Sequence, residues 1–337
     1  MKEFTKQFIE LMAIDSPTGY TGAAADFTLD ALKKMGFKPY FTRKGCVVCD
    51  IGGEGQPLVM SAHIDTLGGM VHEIKPSGRL RVTRIGGLQA ANVEAENVKV
   101  VTRDGKKYDG CMQMENASSH VNLKLSELVR DFDCMEVVLD ENVSSREDVV
   151  KLGISEGDFV LFDPRTHITE SGYIKSRFLD DKLSVAMLLE IARRVSSGRL
   201  TLKRRVCIYI SVYEEVGHGC SAAMPDADDI LSIDMGCVGT GLRCTERMVS
   251  ICAKDSGGPY NYEMTGELIN VAKELKLDYA VDIYPGYGSD AEAALRAGYD
   301  MRHALIGAGV YASHGYERSH LDGVKNTLRL IEGYIGK

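Results

Sequence analysis

An α/β protein with a mostly parallel sheet covered by helices, interrupted by a small β-barrel-like domain, is the fold class this sequence predicts. Two observations predict it. Strand and helix signals alternate toward both ends of the 337-residue chain, as in a parallel sheet buried on both faces. Between about residues 69 and 166 the alternation gives way to short β-like runs spaced by Gly, Asp and Asn turns, the rhythm of a small barrel. The length suits about two domains at roughly 150 residues each. The pattern divides it into a first α/β part at 1–68, an inserted β-rich domain at 69–166 and a second α/β part at 167–337.

Each element has its own signal. Phe4, Phe8, Ile9, Leu11 and Met12 form a helical stripe over 3–14, broken by Ser16-Pro17-Thr18-Gly19. A second helix runs to Met35 and is closed by Gly36. Strands follow at 38–51 and 57–64, split by the turn Gly52-Gly53-Glu54-Gly55. The β-rich stretch contains two short helical patches, near 123–131 and 145–152. A long helix at 180–196 then precedes strands at 204–212, 229–234 and 247–253. A helix at 260–275, a strand at 278–284, a helix at 289–297, a strand at 301–306 and a last helix at 321–335 complete the order.

Composition narrows the function. The charge of −8 arises from 48 acids against 40 basic residues, and no basic tract stands out, which argues against nucleic acid as a partner. No apolar run approaches the roughly 20 residues that span a bilayer, so no membrane partner is expected. The N-terminus is too acidic and amphipathic for a signal peptide. Nine scattered cysteines read as reduced thiols in a cytoplasmic protein, and the lone Cys46-Val-Val-Cys49 lacks a second pair at zinc-ribbon spacing. The chain has no Trp, which disfavours a sugar-stacking cleft.

Five motifs sit at predicted strand ends, where open sheets place their sites. In Ser61-Ala62-His63-Ile64-Asp65-Thr66, His63 and Asp65 share one face of an extended chain. A carboxylate behind an imidazole is the arrangement that fixes a metal-binding tautomer. Asp180 and Asp181 open the long helix, where N-capping is the ordinary role for one of them. Glu214 and Glu215 follow the apolar run Val206–Val212; adjacent carboxylates without a basic neighbour need a cation or a proton. Asp234 ends the strand Asp229–Ile233. The loop Ser313-His314-Gly315-Tyr316-Glu317-Arg318-Ser319-His320 offers His314 and His320 as alternatives for one further ligand. Two imidazoles, two Asp and one Glu suffice for two divalent cations sharing a carboxylate, leaving another Glu and another Asp for base and supporting duties. Imidazole and carboxylate without thiolate suit zinc or cobalt, with manganese possible. The segment Gly286–Ala291 reads as a turn into a helix that lines the pocket.

The set and its order resemble the tetrahedral, or glutamyl (deblocking), family of dinuclear metallo-aminopeptidases: AHIDT, LDD opening a helix, EEVG, IDMG and a late loop His. The resemblance spans essentially the whole chain and implies a zinc-peptidase-like α/β domain with an inserted barrel. It implies that Asp180 bridges two metals, one completed by His63 and Asp234 and the other by Glu215 and His314. Glu214 would be the general base activating a metal-bridged water, and Asp65 would orient His63. It further implies peptide substrates cut at their N-terminus, and a homo-oligomer, dimer-based up to a dodecamer. Two departures stand out: Asp181-Lys182 where the family has Arg or Asn character, and SHGYERSH in place of a His-Ser-Pro loop. His314 is preferred to His320 because it lies nearer the predicted strand end at Ile306–Ala308 and keeps the family spacing to the final helix.

Other readings compete. The same metal set serves a deacylase or a carboxypeptidase. A glycosidase, a label proteins of this kind sometimes carry as endoglucanase, would need carboxylates flanking one bond, which adjacent Glu214 and Glu215 cannot do. A non-catalytic assembly module would have lost ligands that are all present here.

Overall fold

In the computed structural model, which describes residues 1–336, the chain divides into two compact units. Met1–Thr66 and Arg165–Lys337 form one, and Leu67–Pro164 the other. The first holds an eleven-stranded sheet. Its centre is four parallel strands in the order Val206–Ser211, Leu58–His63, Asp229–Val238 and Arg302–Tyr311. Every residue of Leu58–His63 is buried, as expected for a strand covered on both faces. The helix Leu179–Ser196 packs on Leu58–His63 and Asp229–Val238, with Lys2–Met12 packed against it in turn. The apolar stripe that predicts this first helix buries Phe4, Phe8, Leu11 and Met12. Antiparallel strands extend both edges of the sheet.

The second unit is a closed barrel of six antiparallel strands, from Gly68–Ile74 to Phe159–Phe162. Val82, Val100, Met112, Val137 and Val160 are among the buried side chains that fill it. Of its two expected helical patches, 145–152 forms a helix at Arg146–Lys151, capped by the Ser145 hydroxyl accepting the Asp148 amide. The other does not. Only a single 3₁₀ turn, Leu125–Glu127, forms within 123–131. Leu123 and Val129 there are 85% and 75% exposed, and a short helix without a packed face is marginal in water.

Two strands are longer than their sequence signal. Asp229–Val238 and Arg302–Tyr311 pair over ten residues each, so Asp234 lies within its strand and not at its end. Gly236, Gly307 and Gly309 interrupt the apolar alternation that would have shown this. Gly307 is needed there, because a Cβ would fall 1.8 Å from the Asp234 carbonyl oxygen on the neighbouring strand. The short polar strands His167–Ile168, Tyr173–Ser176 and Glu317–His320 carry no alternation and escape a sequence reading.

Opposite the site, the sheet is fastened by one buried acid. Asp229 begins its strand fully buried and accepts Arg204 at 2.6 Å and two bonds from Arg302 at 2.7 and 2.9 Å. Burial would raise its pKa, but the hydrogen bonds from Arg302 and Arg204 outweigh that and hold it below 3.8. A depressed folded-state pKa stabilises the fold above the unfolded value, and this contribution is lost as pH falls through the folded one. Asp229→Asn should therefore destabilise the protein by about 3–5 kcal/mol near neutrality, leaving Arg204 buried without its charge partner. The gap from wild type should close below pH 3.8 in urea titrations; an equal gap at every pH would refute this role.

Candidate active site

Five sequence-selected segments converge at the carboxyl end of the central strands. His63 closes its strand and is 1% exposed. Its Nδ1 lies 2.9 Å from the Asp65 carbonyl and its Nε2 lies 3.0 Å from Asp180 Oδ1. Asp180 and Asp181 follow Phe178, a non-glycine residue in the left-handed region at φ 66°, and both have non-helical backbone angles. The N-capping role expected for one of them is not found: no side chain caps this helix. Instead the non-helical turn carries the Asp180 carboxylate to His63, and Asp181 Oδ2 accepts the His63 amide at 3.2 Å. Glu214 and Glu215 occupy the 3₁₀ turn Glu214–Val216, which follows the strand Val206–Ser211.

Two groups of potential ligand atoms result, each mutually within 4.8 Å: His63, Asp180 and Asp234; and Asp180, Glu215 and His314. Asp180 belongs to both. His63 Nε2 is 4.0 Å from Asp234 Oδ2, and His314 Nε2 is 3.6 Å from both Asp180 Oδ2 and Glu215 Oε2. Glu214 belongs to neither group; its Oε2 stands 3.7 Å from His63 Nε2. The two histidine alternatives separate cleanly. His320 caps the last helix through Nδ1, which accepts the Asp322 amide, while Nε2 is 2.9 Å from the Ser171 carbonyl.

Like charge dominates the electrostatics. Burial, then the Asp180 carboxylate, pushes Asp234 up to about 7. Burial and neighbouring acids raise Glu214, Glu215 and Asp181 well above the usual carboxylate range. Asp180 is the exception, because the hydrogen bond from His63 and the proximity of His314 overcome burial and lower it. Burial opposes a charge on His63, yet Asp180 and Asp65 push its pKa well above 6.5. The buried Lys182 gives no relief, since its Nζ is directed to the carbonyls of Ile14 and Leu11. Glu215 Oε1 and Asp181 Oδ1 are buried with no hydrogen-bond partner among the described residues. Acceptors without donors, hard oxygen and imidazole donors, and repelling carboxylates all fit divalent cations.

Several contacts around the cluster escaped the sequence reading. Thr18 Oγ1 donates to Asp65 Oδ2 at 2.6 Å, although its segment signals only a helix break. The Asp65 carboxylate also accepts the amides of Glu214 and Glu215 at 3.1 and 3.3 Å. It lies 3.6 Å from His63 Nδ1, so the closer support of His63 is the Asp65 carbonyl, and the carboxylate chiefly secures the Glu214 turn. Asp290 Oδ1 accepts the Cys220 amide at 2.8 Å and Oδ2 accepts the Ser211 hydroxyl at 2.5 Å. Tyr287, in the segment expected to line the pocket, hydrogen-bonds the Met235 carbonyl at 3.3 Å and faces Asp234. These contacts join residues tens of positions apart, so no local spacing announces them.

A barrel-bearing α/β fold with imidazole–carboxylate clusters at its strand ends defines the class of the peptide hydrolases, and comparison with known proteins agrees. The family model described as M42 glutamyl aminopeptidase matches residues 45–330. YhfE of Bacillus subtilis, which carries a provisional aminopeptidase name, is 41% identical over 329 residues, 97% of this chain and 95% of its own. The TET aminopeptidase structure from the Thaumarchaeota archaeon SCGC AB-539-E09 superposes with a TM-score of 0.89 at 19% identity, covering 99% of this chain and 97% of that one. The Pyrococcus horikoshii TET1 peptidase, described as assembling into a tetrahedron or a large octahedral shell, superposes with a TM-score of 0.84 at 21% identity, covering 98% of each chain. The chain belongs to the M42 glutamyl aminopeptidase family.

The cluster has a thermodynamic consequence. For each divalent cation the cluster holds, chelator-treated protein should gain about 2.7 kcal/mol of unfolding free energy when that cation is supplied at 100 times its dissociation constant. Urea unfolding with and without cation measures this, and an unchanged midpoint would mean that the cluster holds none.

Proposed function

We propose that this protein is a dinuclear metal-dependent aminopeptidase that removes N-terminal residues from peptides. The observation that carries the reading is the pair of potential ligand groups sharing Asp180. His63 and Asp234 would complete one site, and Glu215 and His314 the other. Zinc or cobalt suits these donors best, with manganese a further candidate. When bound, the cations would supply Lewis acidity to the scissile carbonyl and lower the pKa of the attacking water.

The chain's own residues do the rest. Hydrogen bonding of His63 Nδ1 to the Asp65 carbonyl turns Nε2 toward Asp180, where it would serve as a ligand. Glu214 lies beside His63 without joining either group, and its side chain is 16% exposed, open enough to meet substrate. It takes a proton from the attacking water and returns it to the departing amine. Burial and surrounding acids raise its affinity for that proton, which suits a base that must later act as an acid. Asp65 holds the Glu214 turn through two amides and so fixes the base relative to His63.

Nine free cysteines, five of them buried, accord with work in a reducing cytoplasm. The assembly described for the P. horikoshii relative supports a homo-oligomer for this chain too.

Glu214→Gln should bind two cations per chain yet lose about 10²–10⁴-fold in kcat. Metal analysis beside turnover of aminoacyl-nitroanilides checks both halves of that statement; near-normal turnover would remove Glu214 as the base. In wild type, chelation should abolish aminopeptidase activity and zinc or cobalt should restore it. N-acyl amino acids and carboxy-terminal substrates in the same panel should remain intact, and their preferential cleavage would replace this reading with a deacylase or a carboxypeptidase.

A further inference from the structure

Two of the loops that build the cluster share an unusual feature. Each contains a non-glycine residue in the left-handed region: Phe178 at φ 66°, two residues before Asp180, and His314 itself at φ 62°. Such backbone is strained and persists only where its surroundings hold it. One side chain holds both loops. Glu317, 2% exposed, accepts the Asp180 amide on Oε2 at 3.1 Å and the His314 amide on Oε1 at 3.0 Å. Its strand supports this reach: Glu317 pairs with Ser176, so its carboxylate sits where the chain leaves Ser176 for Phe178 and Asp180. In the other direction it closes the four-residue turn that begins at His314.

We propose that Glu317 is a positioning residue that sets the spacing between Asp180 and His314 by accepting the backbone amide of each on a separate carboxylate oxygen. It rests on the dinuclear reading above. Glu317 is not itself among the potential ligands, since both its oxygens face amides. Its effect falls on the group of Asp180, Glu215 and His314, because two of those three residues hang from it. The group of His63, Asp180 and Asp234 shares only Asp180, which His63 also holds.

Glu317→Gln separates this role from simple structural support. An amide keeps one acceptor oxygen and turns an N–H donor toward the other backbone N–H, so one of the two clamps is lost. Calorimetric titration of chelator-treated protein with zinc or cobalt should show two equivalents in wild type. In the variant the first should persist, and the second should bind about 10–100-fold more weakly. Turnover should return at saturating cobalt. Ser319→Ala is the structural control: Ser319 is buried on the same strand and donates to the Gly309 carbonyl at 2.7 Å, not to Asp180 or His314. It should lower the unfolding midpoint without moving either cation affinity. Should Glu317→Gln fail to fold, Glu317→Asp, which keeps the charge but shortens the reach, is read in the same way. Wild-type affinity for both equivalents in the Glu317 variant would overturn the proposal alone, as would equal weakening in Ser319→Ala. A wild-type protein that binds fewer than two cations would overturn the dinuclear reading, and this proposal with it.

Discussion

Repulsion among buried carboxylates at one end of the sheet is the constraint around which this protein is built. Asp180, Asp181, Glu214, Glu215 and Asp234 gather within reach of two imidazoles, and the buried Lys182 beside them is turned toward backbone carbonyls. Two like charges about 4 Å apart cost about 4 kcal/mol at an effective dielectric of 20. Several such pairs would unfold a protein of ordinary stability unless protons or cations intervened. The scaffold tolerates them because its opposite end is strongly fastened. Leu58–His63 is buried along its whole length, and Asp229 is locked between two arginines where the central sheet begins. A rigid sheet allows an unfavourable cluster to persist.

A second set of acids answers a different need. Asp65, Glu317 and Asp290 spend their oxygens on backbone amides and hydroxyls: those of Glu214, Glu215 and Thr18; of Asp180 and His314; and of Cys220 and Ser211. Charge-assisted bonds of this kind are about twice as strong as neutral ones. They fix the ends of irregular loops that no ladder of strand pairing reaches. The tight fit shows at Gly219, where a Cβ would meet Asp290 Oδ1 at 1.9 Å. The cluster therefore has an inner ring of acids facing one another and an outer ring facing the main chain.

This division explains what the sequence reveals. The parallel centre and the barrel are legible because apolar periodicity is enforced by burial along whole strands. His63, Asp180, Glu214, Glu215, Asp234 and His314 are legible because each follows or ends an apolar run, or opens a helix, within a short polar motif. In the outer ring, Asp65 is legible through its spacing from His63 and Asp290 stands in the segment expected to line the pocket, but the main-chain partners of this ring are not legible. Glu317 stands in a loop motif as one polar residue among many, and Thr18 in an apparent helix breaker; their partners lie 137 and 47 positions away. Asp180 and Asp181 mislead for a related reason. Acids at a helix start have a favourable local role, and only tertiary contacts with His63 pull them from it. The strand ends at Val238 and Tyr311 are obscured because close packing at Gly236, Gly307 and Gly309 admits only glycine, which carries no hydrophobic signal.

The adjacent glutamates show how local geometry divides chemical labour. Along an extended strand, neighbouring side chains point to opposite faces, and only one could have reached the site. On a 3₁₀ turn successive residues diverge by about 120°, so both remain on the site's side but aim apart. Glu215 reaches His314 at 3.6 Å, while Glu214 stops 3.7 Å from His63. Because Asp65 accepts both amides, the turn cannot rotate to exchange the two side chains without breaking two bonds to a buried carboxylate. Two residues alike in charge are thereby committed to different partners. The same geometry denies this pair a glycosidase arrangement, since carboxylates one residue apart on a fixed turn cannot stand on either side of a glycosidic bond.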